Sequence, residues 1–323
     1  MTRVGVIGAG AFGTALASVA RSGGNDVVLW GRDPDQIKTM RQTGENKRYL
    51  PDVPLPEGLN VTSDLADLQE SEILLMVLPA QHLRGFLANA TLPTTAPILL
   101  CAKGIETGTG LLQQDILAEL RPDAQMAVLS GPGFASELTQ GKPTALSLAC
   151  ADPQTGTWLQ EVLSSASLRL YLSEDTTGVA LGGALKNVYA IACGLVVGAG
   201  LGESARAALM TRGFAELARL ASAMGAKTDT LMGLSGFGDL ALSCTSLQSR
   251  NFAFGEKLGR EGAFGTGKTV EGIATAQAVL GLAERQTIEM PIAQAVADVL
   301  DGRQELEQVL RTLMSRPLKP ESR

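Results

Sequence analysis

The stretch Val4-Gly5-Val6-Ile7-Gly8-Ala9-Gly10-Ala11-Phe12-Gly13 decides the fold, because an apolar run leads directly into the spacing Gly-x-Gly-x-x-Gly, and a helical pattern begins at Thr14. In a strand–turn–helix unit, Gly8 permits the tight turn, Gly10 lets backbone amides approach a pyrophosphate, and Gly13 lets helix and strand pack closely. The helix N-terminus adds unpaired N–H groups and partial positive charge. The stretch therefore predicts a dinucleotide-binding cradle. The alternative is a glycine-rich turn that holds no ligand.

Outward from this unit, short apolar runs alternate with helical patterns throughout the N-terminal half. The strand candidates are Val4–Ile7, Val27–Trp30, Ile73–Leu78, Ile98–Cys101, Met126–Leu129, Ala145–Ala149 and Leu168–Leu172. The helical patterns between them include Thr14–Arg21, Leu111–Leu120 and Thr157–Leu163. This alternation is typical of βαβ units, so we predict an α/β fold with a mostly parallel, Rossmann-type sheet covered on both faces.

The pattern changes after Ser173, where helical windows continue without a convincing strand. The clearest windows are Ala205–Met224, Gly272–Leu282, Ile292–Leu300 and Gln304–Leu313. We predict a Rossmann domain over residues 1–175 and a C-terminal all-helical domain over residues 176–323, with the boundary between residues 173 and 180. The Pro- and charge-rich end, Arg316–Arg323, is predicted to fray.

Composition restricts the class of function. The formal net charge of -6 argues against nucleic-acid and anionic-membrane binding, so an anionic substrate would need a local cationic pocket. No apolar stretch approaches the roughly 20 uninterrupted residues of a membrane span, and no secretory-type h-region is seen.

Four scattered cysteines lack CxxC spacing and favour free buried thiols in a reducing cytoplasm: Cys101, Cys150, Cys193 and Cys244. The single histidine, His82, excludes multi-histidine zinc sites, and we expect no metal. Its position after a strand fits a cofactor rim or a solvated, helix-capping residue.

Cofactor choice depends on the residues after the second predicted strand, Gly31-Arg32-Asp33. An acidic residue at this tip usually binds the ribose 2′-OH of NAD, whereas an arginine suits the 2′-phosphate of NADP. Arg32 predicts that NADP is accepted along with NAD, and Asp33 leaves the preference open.

Lys186 is the candidate proton carrier, because it interrupts an apolar, small-residue helical pattern, Gly182–Val188. Burial lowers a lysine pKa, and such a lysine can exchange a proton with a substrate hydroxyl. The alternative is a lysine that snorkels to solvent.

Three further residues complete a polar, cationic site suited to a small phosphorylated substrate. Arg250, within Ser249-Arg250-Asn251, offers a fork of donors that matches phosphate oxygens. Asp239 lies among glycines and apolar residues, where a carboxylate is buried only when it is paired; the alternative is a helix N-cap. Lys103 follows a strand at its carboxyl end, where ligands bind in open α/β sheets, although a surface lysine is the alternative.

Beyond single residues, a series of motifs in order resembles the bacterial-type NAD(P)-dependent sn-glycerol-3-phosphate dehydrogenases over nearly the whole chain. The motifs are GAGAFGTALA at 8–17, YLP at 49–51, KGIE at 103–106, SGPGFAxE at 130–137, LKNV at 185–188, GLSGFGDL at 233–240, SRN at 249–251 and VEG at 270–272.

The resemblance implies that Lys186 is the proton donor to the carbonyl of dihydroxyacetone phosphate, with Asn187 and Asp239 orienting the reacting groups. It implies reversible formation of sn-glycerol 3-phosphate, the glycerophospholipid backbone precursor, by a homodimer that pairs through the helical domain. The implied substrate contacts are Lys103, Gly131, Gly133, Lys186, Asp239, Ser249, Arg250 and Asn251. The implied cofactor contacts, besides the three glycines, are Ala11, Phe12, Arg32, Lys103, Ala135, Arg250 and Glu271. For Glu271, a carboxylate favoured at a helix start is the alternative role.

The chain departs from the family pattern at three positions. Gly133 stands where a hydroxyl residue is common, so only its backbone N–H remains for the substrate. Ala11 and Phe12 replace a common serine and a larger aromatic residue. Two other functions stay open: a related two-domain dehydrogenase of a β-hydroxyacid or ketopantoate-like substrate, and a non-catalytic nicotinamide-binding sensor.

Overall fold

A computed structural model describes residues 1–262, 270–304 and 308 of the chain. Ten strands occur in this part. They are β1 Arg3–Ile7, β2 Asp26–Trp30, β3 Glu45–Asn46, β4 Leu50–Pro54, β5 Asn60–Thr62, β6 Ile73–Met76, β7 Ile98–Leu100, β8 Met126–Ser130, β9 Thr144–Cys150 and β10 Leu168–Ser173. Eight form one sheet in the order β10-β9-β8-β7-β6-β1-β2-β5, and β3 pairs with β4 separately. Every pairing in the large sheet is parallel except β8 with β9, which confirms the mostly parallel prediction.

The sheet has a topological switch point between β1 and β6. The chain runs from β1 to β2 and β5 on one side, then returns to β6 on the other side of β1. In open α/β sheets, ligands bind at the carboxyl ends of the strands beside such a reversal. Gly8 follows β1 at this point with φ +120, and a Cβ there would lie 2.5 Å from the carbonyl oxygen of Val77. Glycine is therefore required where the turn meets the end of β6.

Helices cover both faces of the sheet, as the alternating pattern predicts. They are α1 Ala11–Ser22, α2 Pro34–Thr43, α3 Leu83–Asn89, α4 Gln113–Leu120, α5 Ala135–Thr139 and α6 Pro153–Leu163. One apolar core includes Leu16 of α1 and Leu159 of α6. The other core includes Leu83 of α3 and Ile116 of α4.

The remainder of the described chain is helical and contains no strand between residues 174 and 262 or between 270 and 304. Its helices are α7 Thr176–Gly198, α8 Gly202–Ala223, α9 Thr228–Met232, α10 Asp239–Thr245, α11 Arg250–Glu261, α12 Glu271–Arg285 and α13 Pro291–Leu300. A π-helical turn, Leu234–Gly238, leads into α10. Among the described helices, α7 is long and apolar enough to span a membrane, but 89% of its apolar window is buried inside the protein. It is the core around which α8, α10, α11, α12 and α13 pack.

Glycines bring α7 and α11 into backbone contact. A Cβ at Gly194 of α7 would lie 2.2 Å from the Phe252 carbonyl oxygen, and one at Gly255 of α11 would lie 2.2 Å from that of Ile191. Such distances are too short for any side chain, so the crossing requires glycine on both helices. The contact holds the N-terminus of α11, with the Ser249-Arg250-Asn251 motif, against α7.

The predicted elements that lie within the described residues are present, with shifted ends. β6 stops at Met76 rather than Leu78, and β7 stops at Leu100 rather than Cys101. Among the helices that begin earlier than predicted are α1 at Ala11, where the turn glycine serves as N-cap, and α6 at Pro153, which fits the first helical turn. The strands β3, β4 and β5 were not predicted. The proposed helix Gln304–Leu313 lies outside the described residues except at 304 and 308, and Arg316–Arg323 lies outside them entirely.

Candidate active site

The glycine-rich turn has the shape of an anion-binding cradle. Gly10 is the N-cap of α1 and makes no side-chain cap, so the first-turn N–H groups have no partner within the helix. A Cβ built on Gly10 would meet nothing within 4 Å, whereas one on Gly13 would lie 1.9 Å from the carbonyl oxygen of Gly8. The turn is therefore open above Gly10 and closed beneath Gly13. These residues fit the pyrophosphate of a dinucleotide.

Two amides that sequence reasoning missed support this turn from behind. Asn46, which is buried, donates from Nδ2 to the Ala9 carbonyl at 3.0 Å and to Thr14 Oγ1 at 2.7 Å. Gln36 donates from Nε2 to the same Ala9 carbonyl at 2.7 Å. The hairpin of β3 and β4 thus fixes the backbone between Gly8 and Gly10. No periodic pattern marks this hairpin in the sequence.

At the end of β2, Arg32 is exposed and Asp33 is engaged by other protein groups. Asp33 is the N-cap of α2, where Oδ1 accepts from the Asp35 N–H at 3.1 Å and from the Gln36 N–H at 3.3 Å. Its other oxygen, Oδ2, pairs with Arg48 at 3.0 Å.

Two lysines from different parts of the chain share the carboxylate of Asp239. Lys186 Nζ lies 2.6 Å from Oδ1, and Lys103 Nζ lies 2.6 Å from Oδ2. Asp239 is 1% exposed, while the lysine side chains are 12% (Lys186) and 14% (Lys103) exposed. Asp239 begins α10, yet its side chain binds these lysines instead of capping the helix. Lys186 therefore does not snorkel to solvent, the Asp239 side chain does not cap the helix, and Lys103 is not a surface lysine; these three alternatives are wrong.

Lys186 is further held by Ser243, one helical turn beyond Asp239. Lys186 Nζ donates to Ser243 Oγ at 2.7 Å, and Ser243 Oγ lies 3.4 Å from Asp239 Oδ1. Sequence reasoning missed Ser243, although its spacing of four residues from Asp239 places both side chains on one helix face. Burial lowers the pKa of Lys186, Asp239 opposes that shift, and the neighbouring Lys103 ammonium adds to it.

Two glycines of α7 allow other segments to pack closely beside Lys186. A Cβ at Gly182 would lie 2.5 Å from the Ser235 carbonyl oxygen, and one at Gly183 would lie 2.3 Å from Ser130 Oγ. The π-helical turn before α10 and the end of β8 can therefore approach α7 closely. This approach brings Asp239 and Lys103 to Lys186.

An amide chain links α7, α11 and α12. Asn251 Nδ2 donates to Asn187 Oδ1 at 2.8 Å, and Asn251 Oδ1 accepts from the Gly272 N–H at 3.0 Å. Ser249 caps α11, where its Oγ accepts from the Phe252 N–H at 3.4 Å. The motif is thus partly committed to holding three helices together.

Two charged residues lie at neighbouring helix starts beside this chain. Arg250 is exposed at the first position of α11, and Glu271 is half-buried at the first position of α12. Burial raises the pKa of Glu271, and the charges of Arg250, Lys103 and Lys186 oppose the shift. Glu271 is therefore both a helix-start carboxylate and a neighbour of the site cations.

Two of the remaining predicted residues, Gly131 and Phe12, lie next to Lys103. The Gly131 carbonyl accepts from Lys103 Nζ at 3.1 Å, and Lys103 Nζ lies 5.7 Å from the ring centroid of Phe12. Gly133 and Ala135 follow β8 and are half-buried. His82 is exposed at the start of α3 and makes no side-chain cap. Within residues 1–262, 270–304 and 308, no group of three or more His, Cys, Asp and Glu side chains could hold a metal ion. All four cysteines are buried and free, as predicted.

Comparison with known proteins identifies relatives along the whole chain. Residues 3–156 match the N-terminal model, and residues 175–311 the C-terminal model, of NAD-dependent glycerol-3-phosphate dehydrogenase. The glycerol-3-phosphate dehydrogenase (NAD(P)+) of Paracoccus denitrificans is 52% identical, with 98% of this chain and 99% of the relative covered. That of Parvibaculum lavamentivorans is 48% identical over 99% of this chain and 98% of the relative. The crystal structure of the Coxiella burnetii glycerol-3-phosphate dehydrogenase superposes with a TM-score of 0.92 at 37% identity, covering 98% of this chain and 99% of that one.

Proposed function

The chain belongs to the NAD-dependent glycerol-3-phosphate dehydrogenase family, and from that premise we propose that it reversibly reduces dihydroxyacetone phosphate to sn-glycerol 3-phosphate. One observation carries the proposal: Lys103 and Lys186 share the buried carboxylate of Asp239 at the carboxyl edge of the sheet. This arrangement offers both a proton and an excess of positive charge beside the predicted nicotinamide site.

The cofactor is held by the cradle and by the residues around it. When bound, a nicotinamide dinucleotide supplies the hydride that reaches C2 of the ketone. The N–H groups of the first turn of α1 bind its phosphates, with Ala11 and Phe12 at that turn. Arg32, Lys103, Ala135, Arg250 and Glu271 are the further proposed contacts.

Lys186 gives its proton to the C2 oxygen during reduction and takes it back during oxidation. Burial makes the ammonium a stronger acid, because the charged form is disfavoured. Asp239 and Ser243 keep Nζ in place by accepting hydrogen bonds at 2.6 and 2.7 Å. Asn187 orients the reacting oxygen from the next position on α7.

The substrate phosphate is placed by Ser249, Arg250 and Asn251 at the N-terminus of α11, where the helix dipole also favours an anion. Arg250 is the cation of this motif and is exposed at the start of α11, whereas Asn251 and Ser249 already bond within the protein. Lys103 and the backbone of Gly131 and Gly133 contact the substrate from the sheet side. Binding energy from the phosphate holds C2 in the reactive position.

We further propose that residues 1–175 bind the cofactor and that residues 176–323 bind substrate and pair two copies as a homodimer. The product feeds glycerophospholipid synthesis in the cytoplasm. Four free, buried cysteines suit a reducing compartment.

The test measures oxidation of NADPH and NADH, at the nicotinamide absorbance, with three ketones. We expect turnover with dihydroxyacetone phosphate, and none above background with dihydroxyacetone or with ketopantoate, which carries a carboxylate instead of a phosphate. Turnover with ketopantoate alone would replace the proposal with the related dehydrogenase. Cofactor binding without turnover of any ketone would favour the sensor.

A further inference from the structure

We propose that Arg48 is a second determinant of NADP binding, which neutralises Asp33 and adds a guanidinium to the 2′-phosphate site beside Arg32. The inference rests on the proposed use of a nicotinamide dinucleotide. Arg48 lies in the β3–β4 hairpin, directly before the Tyr49-Leu50-Pro51 motif.

Asp33 lies about 20 residues after the last glycine of the cradle. A carboxylate in this neighbourhood usually accepts from the ribose 2′-OH of NAD and repels the 2′-phosphate of NADP. Here Oδ1 accepts two backbone N–H groups at the start of α2. Oδ2 is paired with a cation. Asp33 is therefore committed to the protein, and its charge is compensated.

Arg48 contacts both Asp33 and Tyr49 from the turn between β3 and β4. Its Nη1 lies 3.0 Å from Asp33 Oδ2, and 61% of its side chain is exposed. Its guanidinium carbon lies 5.2 Å from the ring centroid of Tyr49, a stacking distance that restricts its rotamers. A guanidinium carries five N–H donors, so the bond to Asp33 leaves others for a phosphate.

The β3–β4 hairpin is fixed at the cofactor turn. Asn46, two residues before Arg48, is buried and bonded to Ala9 and Thr14 of the cradle. Leu50, two residues after it, is also buried. Arg48 therefore projects from a segment that is anchored on both sides next to the dinucleotide site, and Arg32, which precedes Asp33 in the chain, is also exposed.

Together these contacts give the tip of β2 an excess of positive charge. Arg32 and Arg48 carry two cations, and Asp33 carries one anion. This charge suits a 2′-phosphate and does not hinder a 2′-OH, so NADP gains affinity while NAD is still accepted.

The test is equilibrium binding by isothermal titration calorimetry, in the absence of substrate. The probes are NADP+ and NAD+, together with adenosine 2′,5′-bisphosphate and 5′-AMP as their adenosine halves. The variants are Arg48→Gln and, as the matched control, Lys47→Gln, which removes the same charge from an exposed neighbour in the hairpin.

We expect Arg48→Gln to raise the Kd for NADP+ and for adenosine 2′,5′-bisphosphate about tenfold, the lower end of what a hydrogen bond to a charged group contributes. The Kd values for NAD+ and 5′-AMP should change less than about twofold in Arg48→Gln, since only a 2′-phosphate contact is removed. In Lys47→Gln, all four Kd values should change less than about twofold. Equal changes for the nucleotides with and without a 2′-phosphate, including no change for either, overturn the inference. So does a wild-type protein that binds none of the probes.

Asp33→Asn is the second variant, because asparagine also caps helices well and should leave α2 intact. NAD+ affinity should stay within about twofold, since Asp33 is committed elsewhere, and NADP+ affinity should hold or rise. A tenfold loss of NAD+ binding would mean that Asp33 binds the ribose, against the inference. Since no ketone is present, failure of the proposed reaction leaves these outcomes unaffected.

Discussion

Replacing Lys186 with methionine separates the chemistry of the site from its architecture. Methionine is similar in length and favourable in a helix, but it carries no proton. The carboxylate of Asp239 would not be left alone, because Lys103 remains 2.6 Å from its other oxygen. Ser243 would lose the ammonium but would stay 3.4 Å from Asp239 Oδ1.

The magnitudes follow from these contacts. A positioned general acid contributes about 10²–10⁴-fold to the rate, which corresponds to about 2.7–5.5 kcal/mol of barrier. The lowered pKa of Lys186 means that burial of its charge is incompletely compensated, so exchange for an apolar residue should be nearly neutral for stability. We expect turnover to fall by about 10²–10⁴-fold, and the free energy of unfolding to change by no more than about 1 kcal/mol.

The assay follows NADPH oxidation with dihydroxyacetone phosphate, alongside urea unfolding and calorimetric NADP+ binding. Ser243→Ala is the matched control, since it removes one partner of Nζ while the bond to Asp239 at 2.6 Å remains. Turnover of Ser243→Ala should fall by about tenfold or less. If Lys186→Met kept a tenth of the wild-type rate, Lys186 would not be the proton donor. If it unfolded or lost the cofactor as well, the role would be structural.

Three further predictions concern pH, helix packing and the cradle. The rate of ketone reduction should fall as pH rises through the lowered pKa of Lys186, because only the protonated lysine donates a proton. The rate of alcohol oxidation should rise over the same pH range. A pH–rate profile for Asp239→Asn should show both changes at lower pH, since Asp239 raises the pKa of Lys186. Gly255→Ala should lower the free energy of unfolding in urea by about 1–3 kcal/mol and raise KM for the ketone. The control Gly281→Ala should be neutral or stabilising, because only the Arg285 side chain lies near its Cβ, at 3.9 Å. Equal effects of the two variants would contradict the tight crossing of α7 and α11. Asn46→Ala should weaken NADP+ binding about tenfold in calorimetry, and an unchanged Kd would mean that the turn keeps its shape without the two bonds from Nδ2.

Much of the sheet could be predicted, because a buried parallel strand is a nearly continuous apolar run. Ile73–Met76 and Ile98–Leu100 are examples that the sequence marks clearly. The strand Asn60–Thr62 is short and lies at the sheet edge, so it carries no such run. The strand Leu50–Pro54 contains two prolines, which local rules exclude from central strands. These elements exist because of tertiary pairing, which periodicity cannot reveal.

For the site, the sequence marked residue types better than partners. Lys186 and Asp239 could be proposed as a pair, because each would be costly to bury alone. That Lys103 shares the same carboxylate depends on the loop after β7 meeting α10, which lies 136 residues away in the chain. Arg48 and Ser243 had no such signal of their own, since an exposed arginine and a helical serine are ordinary residues.

The shared carboxylate joins the two halves of the molecule to the chemistry. Lys103 comes from the loop after β7, while Asp239 and Lys186 come from the helical part. A displacement that lengthens the Lys103 contact removes a positive neighbour from both Asp239 and Lys186, and so weakens one of the causes that lower the Lys186 pKa. The acidity of the proton donor is thus linked to the fit between the halves. A substitution that loosens this fit should therefore shift the pH profile of ketone reduction to higher pH, even when it touches neither lysine.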